Sequence, residues 1–274
     1  MSAILAIAVQ EVRDGLRNRW VIAATLLLAA LALALALLGS APTGTVKASP
    51  LAVTIVSLSS LTIFLIPLIA LLLSYDAVVG EVERGTLLLL LAYPVTRWQV
   101  MLGKFLGHVL ILAFATVLGY GAAGLAIAMF GSGGKHWGAF GAMIGSSVLL
   151  GSVFVSIGYL LSVAVRERGT AAGLAVAVWL VFVLLYDLAL LGGLVADQGR
   201  HLSAEVFRYL LLLNPADLYR LFNLSAFADT RLFSGMAGIA GEMRFSPTVL
   251  LAVLLAWAVA PLGVAGALFA RKEL

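Results

Sequence analysis

The chain has 274 residues, 63% hydrophobic and 11% charged, with a net charge of +4; soluble domains carry about 45–50% apolar and about 25% charged residues, so a water-exposed globule is excluded and lipid is the solvent. Cysteine is absent, which excludes disulfides, thiolate metal sites and cysteine nucleophiles together. The modest basic excess, with no nucleic-acid-binding motif beside it, reads as the cytoplasmic rim of a membrane protein.

The N-terminal stretch sets Ile4, Ile7, Ala8, Glu11 and Val12 at helical spacing, with Gln10, Arg13, Asp14 and Arg17 largely off that stripe. This predicts an amphipathic helix on the cytoplasmic membrane surface. The first apolar run follows at about 20–38. It is longer than a secretory h-region and reads as a retained span. A second run covers about 51–75.

The next segment, about 76–97, opens with Asp76, Glu81, Glu83 and Arg84, which are too costly to place in hydrocarbon. Glu81 and Arg84 are spaced to pair on a short helix. Gly85 is a helix stop, and Pro94 breaks the apolar return Leu87 to Ala92. The third run, about 101–130, is long enough to tilt or to extend beyond the bilayer. His108 lies early in it, where hydrogen-bonded packing is the commoner role of a lone histidine.

The fourth and fifth runs cover about 139–165 and 170–195. Asp187, beside Tyr186, lies about 26 Å along the fifth, near its outer rim. An ionisable residue there is a candidate for the transport pathway. The long loop of about 197–247 predicts two short amphipathic helices on the outer surface. Ser203 caps one, and Asn214-Pro215-Ala216-Asp217 opens the other. Met236, Met243 and His201 share this loop as weak metal candidates; without tight spacing, methionine is more often a packing residue. The sixth run covers about 248–270.

Six continuous apolar runs, none alternating as barrel strands do, define an all-α integral membrane protein, read as one transmembrane domain over 1–274. Arg13, Arg17, Arg19, Arg84, Arg97, Lys104, Arg166, Arg168, Arg271 and Lys272 fall at one end. The opposite short loops hold only Lys47 and Lys135. Both termini are therefore expected in the cytoplasm. No phosphate-binding loop or hydrolase motif is present, so any ATP chemistry belongs to another subunit. Asp187 and His108 lie at opposite depths, which argues against an intramembrane enzyme.

Glu83-Arg84-Gly85-Thr86-Leu87, then Ala92-Tyr93-Pro94-Val95-Thr96-Arg97 and Gly103-Lys104, fall between spans two and three. This set resembles the signature of ABC-2 type permeases, and the layout of the whole chain resembles that family too. The resemblance implies that segment 76–97 is a coupling helix docking into a groove of a cytosolic ATPase. Carried over, that role falls on Glu81, Glu83, Arg84, Gly85 and Thr86. It also implies a homodimer with an ABC ATPase dimer in the bacterial inner membrane. ATP and Mg would be bound by the ATPase, with no cofactor in this chain. A narrower resemblance, to permeases serving copper-site maturation of nitrous oxide reductase in denitrifying bacteria, implies a periplasmic β-helical copper-binding partner. The alternative reading is a membrane anchor for such a partner, driven by no ATPase.

Overall fold

The computed structural model describes residues 2–38, 50–130, 137–197, 204–225 and 245–272. Its elements are helices α1 (Ala3–Leu16), α2 (Arg19–Leu38), α3 (Pro50–Ser74), α4 (Val79–Glu83), α5 (Thr86–Leu91), α6 (Arg97–Phe130) and α7 (Trp137–Ala164). Then come α8 (Arg168–Leu180), a π-helical turn (Val181–Leu185), α9 (Tyr186–Asp197), α10 (Ala204–Leu212), α11 (Pro215–Ser225) and α12 (Pro247–Arg271). Among the described residues six helices, with α8, the π turn and α9 counted as one, are long and apolar enough to cross a membrane. The protein is an all-α integral membrane protein. The predicted spans agree with the helices to within a few residues, except that α6 begins at Arg97. Its 34 residues measure about 51 Å, well beyond the ~30 Å of a hydrocarbon core.

Helix α7 is the centre of the bundle and packs against α3, α6 and α12. Leu150, Phe154 and Tyr159 on it are fully buried. Span one and the α8–α9 span are peripheral, exposing Leu26, Leu27, Leu184, Leu185 and Leu188. An apolar solvent permits that surface, because backbone groups in the interior of a helix are satisfied within it.

The N-terminal helix is separate from the first span. The break falls at Arg17 and Asn18, where Asn18 Oδ1 accepts a hydrogen bond from Trp20 N at 2.9 Å. The stripe of this helix faces α6. Gly103 and Gly107 of α6 leave room for it: a Cβ at Gly103 would lie 2.7 Å from Ile7 Cβ, and one at Gly107 2.5 Å from Glu11 Cβ. Glu11 is thus on the stripe because it points into protein.

The long loop contains both expected helices, and Asn214 Oδ1 caps α11 by accepting from Ala216 N at 3.0 Å. Their expected place on the surface is wrong for α11. It inserts among α3, α7, α12 and the π turn, with Asn214, Asp217, Tyr219 and Asn223 all buried. Tyr219 Oη bonds Ser147 Oγ at 3.0 Å, and Asn223 Nδ2 donates to Ser146 Oγ at 3.0 Å. Ser147 is about 15 Å along α7 from Trp137, so α11 reaches about a third of the way along that helix.

Candidate functional site

The hairpin between spans two and three sits at the end of the bundle that carries both termini, called here the basic end. Gly85 takes φ of 70°, the left-handed region open to glycine, and separates α4 from α5. Past Pro94, Thr96 and Gln99 form a reciprocal capping box that starts α6. Thr96 N donates to Gln99 Oε1 at 2.9 Å, and Gln99 N donates to Thr96 Oγ1 at 3.2 Å. The signal for it in the sequence is the T-x-x-Q spacing of Thr96 and Gln99.

The root of the hairpin is tied to three other elements, α6, α7 and α8. Val78 N and Val79 N both donate to Ser162 Oγ of α7 at 3.0 Å. Glu83 Oε1 accepts from Arg168 N, in the first turn of α8, at 2.7 Å. Arg168 Nη2 also donates to Asp76 Oδ2 at 2.8 Å. Glu81 pairs with Lys104 of α6 at 2.9 Å, not with Arg84 as its spacing suggested. The longer-range partner wins because Lys104 is buried and requires compensation.

Lys104 also bonds Glu11 Oε2 of α1 at 3.0 Å, and Glu11 Oε1 lies 3.2 Å from His108 Nε2. His108 Nδ1 completes the chain at 2.8 Å from Tyr159 Oη. Burial alone would raise the Glu11 carboxyl, but the His108 hydrogen bond and the Lys104 charge outweigh it and hold it at about 2. The cluster joins α1, α4, α6 and α7. His108 has the hydrogen-bonded packing role expected of it, and its partners Glu11 and Tyr159, with Lys104 beside Glu11, come from three different helices and share no sequence spacing. An acid on an otherwise apolar stripe was the available signal.

At the tip the pattern reverses. Arg84, Gly85 and Thr86 are exposed, as are Leu88, Leu89 and Tyr93. Thr86 Oγ1 reaches Glu81 O at 3.4 Å.

Asp187 and Tyr186 lie at the far end, away from this cluster. Asp187 Oδ2 accepts from both terminal nitrogens of Arg220 at 3.0 Å. Arg220 Nη1 also bonds Asp217 Oδ1 at 3.0 Å. Asn214 Nδ2 reaches Asp217 Oδ2 and the Phe182 carbonyl of the π turn, each at 3.0 Å. Tyr186 Oη donates to Leu210 O at 2.6 Å. Burial, then the neighbouring Asp187 charge, pushes the Asp217 carboxyl up to about 7. These bonds fasten α10 and α11 to span five. Ser203, His201, Met236 and Met243 lie outside the described residues.

Residues 5–274 match the family model described as ABC-2 family transporter protein. The chain is 50% identical over 277 residues to the probable ABC transporter permease protein NosY of Pseudomonas aeruginosa, covering 100% of both chains. It is 48% identical over 275 residues to the probable ABC transporter permease protein NosY of Stutzerimonas stutzeri, covering 99% of each. A rooted hairpin between spans two and three, six spans and these full-length likenesses agree: the chain belongs to the ABC-2 family of transporter proteins, as a membrane permease subunit.

Proposed function

We propose that this permease couples ATP hydrolysis by a separate cytosolic ATPase to rocking of its six spans, through the hairpin formed by α4 and α5. The observation carrying this is the contrast between root and tip. Asp76, Glu81 and Glu83 are bonded within the chain, whereas Arg84, Gly85, Thr86, Leu88 and Leu89 face outward. A stiff root under an accessible tip suits a lever. In this reading Glu81 and Glu83 brace the coupling helix, and Arg84, Gly85 and Thr86 meet the ATPase groove. ATP and Mg are bound by that partner, and no cofactor by this chain.

The working unit is a homodimer with an ATPase dimer in the bacterial inner membrane, both permease termini in the cytoplasm. Asp187 and Tyr186 act at the far mouth of the pathway by holding α10 and α11 against span five. The likeness to NosY permeases supports a narrower assignment. The complex would export a species, or do periplasmic work, for copper-site maturation of nitrous oxide reductase, with a periplasmic β-helical copper-binding partner.

The test is Arg84→Glu in the assembled complex. Charge reversal at the tip is expected to uncouple ATP hydrolysis from maturation while the permease stays folded. Normal coupling and normal maturation would reject the assignment. Maturation that survives deletion of the ATPase would favour a passive anchor instead.

A further inference from the structure

The exit of the hairpin is fastened as firmly as its entrance, by a residue the coupling role does not absorb. Arg97 opens α6 directly after the hairpin and reaches the end of α12. Its Nη1 donates to the carbonyls of Phe269 at 2.8 Å, Ala270 at 3.2 Å and Lys272 at 2.6 Å. The guanidinium carbon lies 5.8 Å from the centroid of the Phe269 ring. Next to it, Trp98 packs where a Cβ on Gly266 would be, so the first turn of α6 lies directly on the α12 backbone.

Lys272 continues the chain of contacts. Its Nζ donates to Val163 O at 2.9 Å and Val165 O at 3.0 Å, at the end of α7. The last carbonyls of a helix lack intrahelical partners, and a cation there also complements the helix dipole. Here each helix end is capped by a side chain from another element. Beside Val163 is Ser162, whose hydroxyl accepts from Val78 N and Val79 N at the hairpin entrance. The contacts therefore close on themselves: hairpin entrance, end of α7, end of α12, hairpin exit.

We infer that Arg97 and Lys272 are positioning residues that close this ring, so that the coupling hairpin, the end of α7 and the end of α12 move as one unit and hairpin displacement is delivered to span six. The inference rests on the reading of the hairpin as the ATPase-docking element. Water at the basic end would satisfy the same carbonyls, so simple capping needs neither residue. Rigid transmission needs both. A lysine at position 97 carries a point charge without the planar fork of arginine and holds the carbonyls less firmly.

The chain has no cysteine, so single introduced cysteines take a nitroxide without background. In the full complex with its ATPase, a label at Leu88→Cys reports docking. A label at Val259→Cys, on the exposed face of α12, reports span six. The parent is expected to show immobilisation at position 88 on ATPase binding and a nucleotide-dependent line-shape change at position 259. In Arg97→Gln and in Lys272→Met the immobilisation is retained and the change at 259 is lost. Arg97→Lys restores part of it, and the double variant is no worse than either single one.

An unaltered nucleotide response at 259 in both single variants would overturn the inference. So would the absence of that response in a parent whose position 88 is immobilised. Loss of immobilisation in both variants would overturn it as well, since the ring would then hold the hairpin without passing its movement on. Failure of immobilisation in the parent itself would reject the docking reading, and the inference with it.

Discussion

Glu83 and Arg168 are 85 residues apart in sequence and meet through a 2.7 Å hydrogen bond from the Arg168 backbone N–H to the Glu83 carboxylate. A residue of the hairpin between spans two and three thus caps the helix that begins span five. The bond places a negative charge at a helix N-terminus, where it opposes the positive end of the dipole.

Glu83→Ala is therefore expected to lower stability by about 1 kcal/mol, the usual cost of a lost N-cap. Arg84→Glu, at the exposed tip, is expected to leave stability unchanged. Thermal unfolding followed by tryptophan fluorescence separates the two. Equal melting temperatures would mean that the cap contributes nothing.

Lys104 is buried between two carboxylates, Glu11 and Glu81. Removing it in Lys104→Met leaves both without their cation, at a cost of roughly 3–5 kcal/mol. Adding Glu11→Gln to that variant is expected to recover part of the loss. The recovery is read as a double-mutant cycle on the melting temperature.

Two carboxyls give pH dependences of opposite sign. The Glu11 carboxyl is held at about 2 against an ordinary 4.5. Its contribution is present above the ordinary value and is lost as the pH falls from there towards 2. The Asp217 carboxyl is raised to about 7 from 3.8. The folded state binds that proton more tightly, so its contribution is complete below 3.8 and is lost as the pH rises through 7. Hydrogen exchange in α11 is expected to quicken between about pH 4 and pH 7 beyond the intrinsic rise, and Asp217→Asn to remove the excess.

The fit of α1 on α6 depends on Gly103. A Cβ there would lie 2.9 Å from Ile7 Cγ2 and 3.0 Å from the Ile4 carbonyl. Gly103→Val is expected to displace α1 and expose the chain at Arg13 and Arg17 to trypsin. Cleavage there at the parent rate would show that α1 adjusts in place.

The spans were legible because burial in lipid makes whole helices apolar, and a continuous run says so without knowledge of any neighbour. The partners of single polar residues were not. Glu81 and Arg84 had the right local spacing, yet Lys104, 23 positions away, takes Glu81 because it is buried. Helix α11 reads as a surface element from its mixture of polar and apolar residues. Its Tyr219 and Asn223 are buried because Ser147 and Ser146 of α7 receive them. The π turn before Tyr186 has no composition that separates it from α-helix. Gly119 of α6 lies close against span one at Leu28 and Ala29, a contact that no apolar run announces. The Gly103-Lys104 pair has a physical reason that only the packing reveals: the glycine admits α1, and the lysine joins it to the hairpin.

The central claim is that the hairpin tip meets a separate ATPase. A photo-reactive amino acid at Leu89, which is 70% exposed, placed in the full chain and irradiated in native membranes, tests it directly. Mass spectrometry of the adduct is expected to identify a cytosolic ATP-binding cassette protein, with the yield reduced by Arg84→Glu. Adducts to lipid alone, or to no nucleotide-binding protein, would contradict the account.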